Sequence, residues 1–243
     1  SAANLDGIPA GKIKWNYTTG LELLAMMDAG EAYGRTDFRD YAQRYYDSIV
    51  QPDATVLTYR REKYNLDHIC PGRALFRLAE STGEARYRQV LDTLYAQLQG
   101  QPHNADGGFW HKAVYPHQMW LDGLYMAEPF YAEYAVKFLD GAERERAVAD
   151  IVNQFVVVAK HTYDPQTGLY RHAYDDSRAM FWCDSLSGQS AHAWGRAMGW
   201  YAMAIVETLQ YLGVDAATQP MVDILHRIYE VLPRYADPET GMW

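Results

Sequence analysis

An all-α fold of paired helices is predicted for this 243-residue chain by three observations. Apolar residues recur at helical spacing in four separate stretches, segments apolar on more than one face alternate with those stretches, and strand-like alternation is nearly absent. Composition allows such a fold: 49% of residues are hydrophobic and 14% aromatic, enough to bury a substantial core in one large domain or two small ones, and the pattern of hairpins is read as one domain over residues 1–243.

The amphipathic helices follow one template. Phe38, Tyr41, Ala42, Tyr45 and Ile49 recur at i, i+3, i+4, i+7 and i+11, and Tyr87, Val90, Leu91, Leu94 and Leu98 repeat that spacing. Val148, Ile151, Val152 and Phe155 form a third face, and Met221, Ile224, Leu225, Ile228 and Leu232 a fourth. Gly30, Gly34, Gly83, Gly100 and Gly213 fall just after periodic runs, where a left-handed C-cap is wanted.

The segments WNYTTGLELLAMM, NLDHICPGRALFRLA, QMWLDGLYMAEPFYAEYA and AHAWGRAMGWYAMAIV differ in character. Each is apolar on more than one face, with a few polar residues near its N-terminal end, as suits an internal helix. Their starts, near Trp15, Asn65, Gln118 and Ala193, lie about 50 to 75 residues apart, which fits repeated helical hairpins. Apolar helices inside a ring of amphipathic ones make an α/α toroid, in which Asp67, Asp122 and Arg196 would meet at one mouth. The strings ADGGFW (105–110), PQTGLY (165–170) and PETGMW (238–243) predict one turn used three times. Four hairpins are legible and the sequence stops directly after the third turn, so the domain is expected to be incomplete at its C-terminus.

A formal net charge of −9 argues against nucleic acid and against an anionic membrane as partners. No run of about 18 apolar residues occurs, so no membrane-spanning helix is predicted, and SAANLDGIPAGKIKW lacks the regions of a signal peptide. A cytoplasmic location is the expectation. Cys70 and Cys183 form no disulfide framework and no metal-ligand spacing, and read as inert packing thiols. The 20 tyrosines and seven tryptophans exceed what packing needs and suit a lining for sugar or other flat apolar ligand surfaces. Metal and nucleotide motifs are absent, and no cofactor is predicted.

Asp122 poses the sharpest question, because it stands in YPHQMWLDGLYMAEPF among apolar and aromatic neighbours. A helix here would bury Trp120, Leu124, Ala127 and Tyr131 on one face. Asp122 would then sit on a solvated flank, or, if the helix is internal, need a partner or a raised pKa. Asp67, in YNLDHICPG, either caps an inner helix or serves as a second carboxylate with a divided acid and base role. His111, His172 and His192 each adjoin a turn and form candidates for a common rim. Arg196 and Trp200, four apart in WGRAMGWY, share a helix face, and the guanidinium needs an anion from protein or substrate.

GGFWHK, then YPHQMWLDGLYM, then WGRAMGWY together resemble the unsaturated rhamnogalacturonyl hydrolases of glycoside hydrolase family 105. The resemblance runs from WNYTTG to DPETGMW and is most specific in QMWLDGLYM. It implies a six-hairpin (α/α)6 barrel, of which about two hairpins are not represented in this sequence. It places the catalytic acid/base on Asp122, a second pocket carboxylate on Asp67, pocket histidines on His111 and His172, and a binding Arg and Trp on Arg196 and Trp200; His192 receives no role. The implied reaction is hydration of a 4,5-unsaturated uronate at the non-reducing end of an oligosaccharide, distinct from two-carboxylate glycosidic displacement. An unsaturated glucuronyl hydrolase with the same chemistry, or a non-catalytic sugar-binding toroid, are the other readings of these residues.

Overall fold

The computed structural model describes residues 12–242. The run up to residue 11, read above for a leader, and Trp243, the aromatic of the third turn, lie outside the described residues. The chain divides into two compact units, Ser1–Gly100 and Gln101–Trp243.

In the first unit, α1 (Tyr17–Tyr33) pairs with α2 (Thr36–Ile49), and α3 (Arg73–Thr82) with α4 (Ala85–Gln99). Asn16 opens α1 by accepting a hydrogen bond from Thr19 N at 3.0 Å. Gly34 and Gly83 close α1 and α3 in the left-handed conformation, at φ 65° and 71°. Gly30 is no cap: it lies inside α1, where a Cβ would sit 2.7 Å from Arg35 O, so its smallness serves the close entry into α2. Tyr46, Ile49, Leu75, Phe76 and Leu91 are fully buried, each adding about 1.5 to 3 kcal/mol relative to exposure.

In the second unit, α5 (Leu121–Phe138) packs against α6 (Gly141–Thr162) and α7 (Gly195–Leu212), and α8 (Gln219–Val231) packs on α6 and α7. Every residue of α5 from Gly123 to Ala135 is buried, as expected of an internal helix. The four helix pairs match the four hairpins read from periodicity. One departure is a two-stranded antiparallel ladder, β1 (Gln118–Trp120) with β2 (Ala173–Asp175), in the register Gln118↔Asp175, Met119↔Tyr174 and Trp120↔Ala173. Trp120 therefore belongs to a strand and not to the helical face assigned to it; Leu124, Ala127 and Tyr131 do lie buried in α5.

The repeated turn recurs in two of the three strings, where Gly168 and Gly241 have positive φ at 76° and 71°. In ADGGFW the positive φ, 91°, falls on Gly107, one residue before the glycine that the repeat aligns. That turn is a residue shorter, Gly107 N donating to Asn104 O where Gly168 N donates to Asp164 O and Gly241 N to Asp237 O. In the second and third, an Asp four residues earlier accepts from the turn, as with Gln166 N to Asp164 Oδ1 at 3.0 Å and Glu239 N to Asp237 Oδ1 at 3.1 Å. A further copy, unread in the sequence, runs from Asp184 to Gly188, with Ser187 N donating to Asp184 Oδ1 at 2.7 Å.

Candidate active site

The site is built where β1 hands over to α5. Trp120 is extended at φ −126°, ψ 144°, and the chain turns helical at Leu121, so Asp122 falls in the first turn of α5. Leu121 N donates to His172 O at 3.1 Å, and His172 N donates to His192 O at 3.1 Å. These backbone bonds bring His172, just before β2, beside the start of α5. Its Nε2 then lies 3.1 Å from Asp122 Oδ2, with the Asp122 side chain 14% exposed. The partner that the setting of Asp122 demands is this imidazole.

Strand alternation sends Gln118 and Trp120 to one side and Met119 to the other. Trp120 becomes the centre of an aromatic stack: His111 lies at 4.5 Å between centroids and 13° between planes, Tyr115 at 5.4 Å and 18°. His172 lies 5.8 Å from the same indole. Trp194 meets His172 edge-on at 5.1 Å, and the Arg196 guanidinium sits 3.7 Å over the Trp194 ring. Asp122, His172, Trp194 and Arg196 thus form one continuous contact chain.

Each predicted residue can now be placed. His111 is buried against Trp120 and not on an exposed rim, whereas His192 is exposed. Arg196 is exposed and, among the described residues, makes no ion pair, so a structural pairing with Asp122 is not its role. Trp200 is half-buried and packs on Tyr125 at 4.5 Å, whose hydroxyl donates to Glu207 at 3.0 Å. Asp67, in the first unit, lies half-buried in the 3-10 turn Leu66–His68; it is not the cap, since Asn65 Oδ1 accepts from Asp67 N at 3.0 Å.

Sequence reasoning missed Trp120 and Tyr115 as ring partners. Their signal was the aromatic spacing in YPHQMW, masked by a helical reading of the same residues. It also missed the supports behind them. Gln154, buried on α6, accepts from Phe109 N at 2.8 Å and donates to Gly107 O at 2.9 Å, fixing the turn that leads to His111. At the far end of β2, burial alone would raise Asp175, but hydrogen bonds from Ser177, Met180 and Ala179 outweigh it and hold the carboxyl below its usual range. Deeper in α5, burial pushes the Glu128 carboxyl well up, and the nearby Asp150 charge adds to that.

The arrangement offers a carboxyl and an imidazole in hydrogen-bond contact beside flat aromatic faces, with an exposed guanidinium close by. Such a set can bind a planar, anionic sugar and move a proton on it.

Comparison with known proteins narrows the class. The family model described as Glycosyl Hydrolase Family 88 matches residues 7–243. A solved glycoside hydrolase from family 105 of C. acetobutylicum is 36% identical with a TM-score of 0.90, covering 98% of this chain and 65% of that one. Among curated relatives, Protein Atu3128 of Agrobacterium fabrum is 34% identical over 119 residues, 49% of this chain and 48% of its own length. The unsaturated rhamnogalacturonyl hydrolase YesR of Bacillus subtilis is 25% identical over 236 residues, 94% of this chain and 63% of its own length. The chain thus spans less than two thirds of the length of each protein it matches here.

Proposed function

The chain belongs to Glycosyl Hydrolase Family 88, and from that premise we propose that it releases 4,5-unsaturated galacturonic acid from the non-reducing end of rhamnogalacturonan oligosaccharides. The observation that carries the reading is the contact of Asp122 with His172 beside the Trp120 stack. The name of the Bacillus relative supports a rhamnose-linked substrate.

In this mechanism the C4=C5 bond is hydrated. Asp122 delivers a proton to C4, water adds at C5, and the carboxylate takes up the proton that the water loses. The hemiketal so formed opens and frees the neighbouring sugar, with one water consumed. His172 holds the Asp122 carboxyl in a fixed rotamer through its Nε2, and Arg196 pairs with the uronate carboxylate. Asp67 is assigned the second carboxylate on the strength of its LDHICPG segment alone.

The test is ultraviolet absorbance of the conjugated double bond in unsaturated galacturonyl-rhamnose, read beside a glucosamine-linked unsaturated glucuronide. Loss of signal with the first substrate supports the proposal. Loss only with the second moves the assignment to a glucuronyl hydrolase. Binding of either without any loss overturns the enzymatic reading and leaves a sugar-binding protein.

A further inference from the structure

His161 ends α6 and touches neither Asp122 nor the aromatic stack, yet it contacts both segments that deliver the site histidines. Its Nε2 lies 2.6 Å from Asp106 Oδ2, where Lys160 Nζ also arrives at 3.1 Å. Asp106 stands in the turn that leads through Gly107 and Phe109 to His111. Burial alone would raise its carboxyl, but the bonds from His161 and Lys160 outweigh this and hold it below the usual range. The same turn is held to α6 by Asn153 Nδ2 to Asp106 O at 3.2 Å and by Gln154.

The face of the His161 ring lies on Tyr174, at 4.2 Å between centroids and 23° between planes. Tyr174 is in β2, two residues past His172, and pairs across the ladder with Met119. Its hydroxyl donates to Asp176 Oδ1 at 3.1 Å, with Arg178 nearby. The His161 carbonyl in turn accepts from Gln189 Nε2 at 2.9 Å, and Gln189 bridges to Tyr174. One side chain is therefore bonded by its edge to the His111 turn and stacked by its face on the His172 strand.

We propose that His161 is a positioning residue that sets the His111 turn and the His172 strand in register with each other, through its bond to Asp106 and its stack on Tyr174. The role in turnover rests on the hydrolase reading above. The Asp106 side chain is 32% exposed and its turn keeps its separate bonds to Asn153 and Gln154, so loss of the His161 contact should disturb geometry more than folding. A displaced group next to the reacting atoms lowers turnover without weakening binding.

The experiment uses the parent, His161→Phe, which keeps the ring and loses the bond, and His161→Gln, which keeps a donor and loses the stack. Two readouts are taken: imidazole NMR signals of His111 and His172 without substrate, and kcat against KM on the unsaturated disaccharide. In both variants the signals of both histidines are expected to shift and kcat to fall about tenfold at unchanged KM, the size usual for losing support behind a site group. Unmoved signals in both variants overturn the proposal, and so does a shift confined to one histidine or a change confined to KM. The NMR arm needs no turnover, so a parent inactive on every unsaturated uronide sinks the hydrolase reading while the positioning claim is still decided.

Discussion

Asp122 Oδ2 and His172 Nε2 lie 3.1 Å apart although 50 residues separate them, because Leu121 N and His172 O are bonded directly beneath them. The carboxyl sits in an otherwise closed helix and faces an imidazole able to exchange a proton with it. Replacing Asp122 with Asn keeps the volume and removes the exchangeable acid. Turnover of the unsaturated disaccharide should fall by about 10²- to 10⁴-fold, the usual worth of a positioned proton donor. His172→Ala should also lower kcat, and His172→Gln less so, since an amide can still donate to Asp122. Asn and Ala variants as active as the parent by double-bond absorbance would remove this pair from the chemistry.

Trp120 is flanked by His111 and Tyr115 in nearly parallel planes, so its own ring is pre-ordered before any ligand arrives. Aromatic contacts of this kind contribute about 0.5 to 1.5 kcal/mol each beyond area, and Trp120→Ala loses the platform as well as the stack. KM for the disaccharide should rise roughly tenfold, while Trp120→Phe keeps much of the affinity. Isothermal titration with Asp122→Asn as an inactive host measures this directly. Equal affinities with Trp and Ala at position 120 would mean that the stack is packing alone.

The helices were legible because burial imposes a 3.6-residue period over ten or more residues, long enough to count. Three-residue strands such as QMW and AYD carry no such count, and Trp120 happens to fall one helical turn before Leu124. Its strand reading depends on pairing with Ala173, a long-range fact. Asp122 stood out because its neighbours Leu121, Leu124, Tyr125 and Met126 are apolar and a carboxylate among them needs explanation; Glu128, six residues on in the same helix, raised the same question and went unread. His172 was visible as a candidate, but its contact with Asp122 was not. Gln154 and His161 were silent for the same reason, since their partners lie 47 and 55 residues away. Gly30 and Gly34 look alike in sequence; only packing against Phe38 and Arg35 separates a close approach from a cap.

The double glycine of ADGGFW yields a prediction with two distinct causes. Gly107 has φ 91°, which a side chain resists, and a Cβ on Gly108 would stand 2.1 Å from Met119 Sδ and 2.9 Å from Val157 Cγ1. Gly108→Ala must displace Met119, the inward residue of β1, and should cost about 1 to 3 kcal/mol by overpacking. Urea unfolding would register this, and combining it with Met119→Ala should cost less than the two changes summed, because the smaller side chain makes room for the added methyl. If Gly108→Ala unfolds at the parent's urea concentration, the close contact between this turn and β1 is wrong.

Glu128 carries the pH prediction. It is fully buried in α5, neither carboxyl oxygen has a hydrogen-bond partner, and burial with the charge of Asp150 pushes its pKa well above the ordinary glutamate range. Asp150, bonded by Tyr131 and Gln154 on either oxygen, is itself raised, by burial first. In the folded state Glu128 keeps a proton that the unfolded chain releases. Its contribution to stability is therefore fully present below the unfolded pKa and is lost as pH rises toward the folded one. Over that window stability falls by up to about 1.4 kcal/mol per pH unit for this one group. Glu128→Gln is isosteric and cannot ionise; its buried amide sets a constant offset of about 1 to 3 kcal/mol. Unfolding free energies measured from about pH 5 to about pH 8 should thus run less steeply downward in the variant than in the parent, so that the gap between them shifts steadily in favour of Gln. Parallel profiles across that range would show that Glu128 is already ionised in the fold, against everything its surroundings imply.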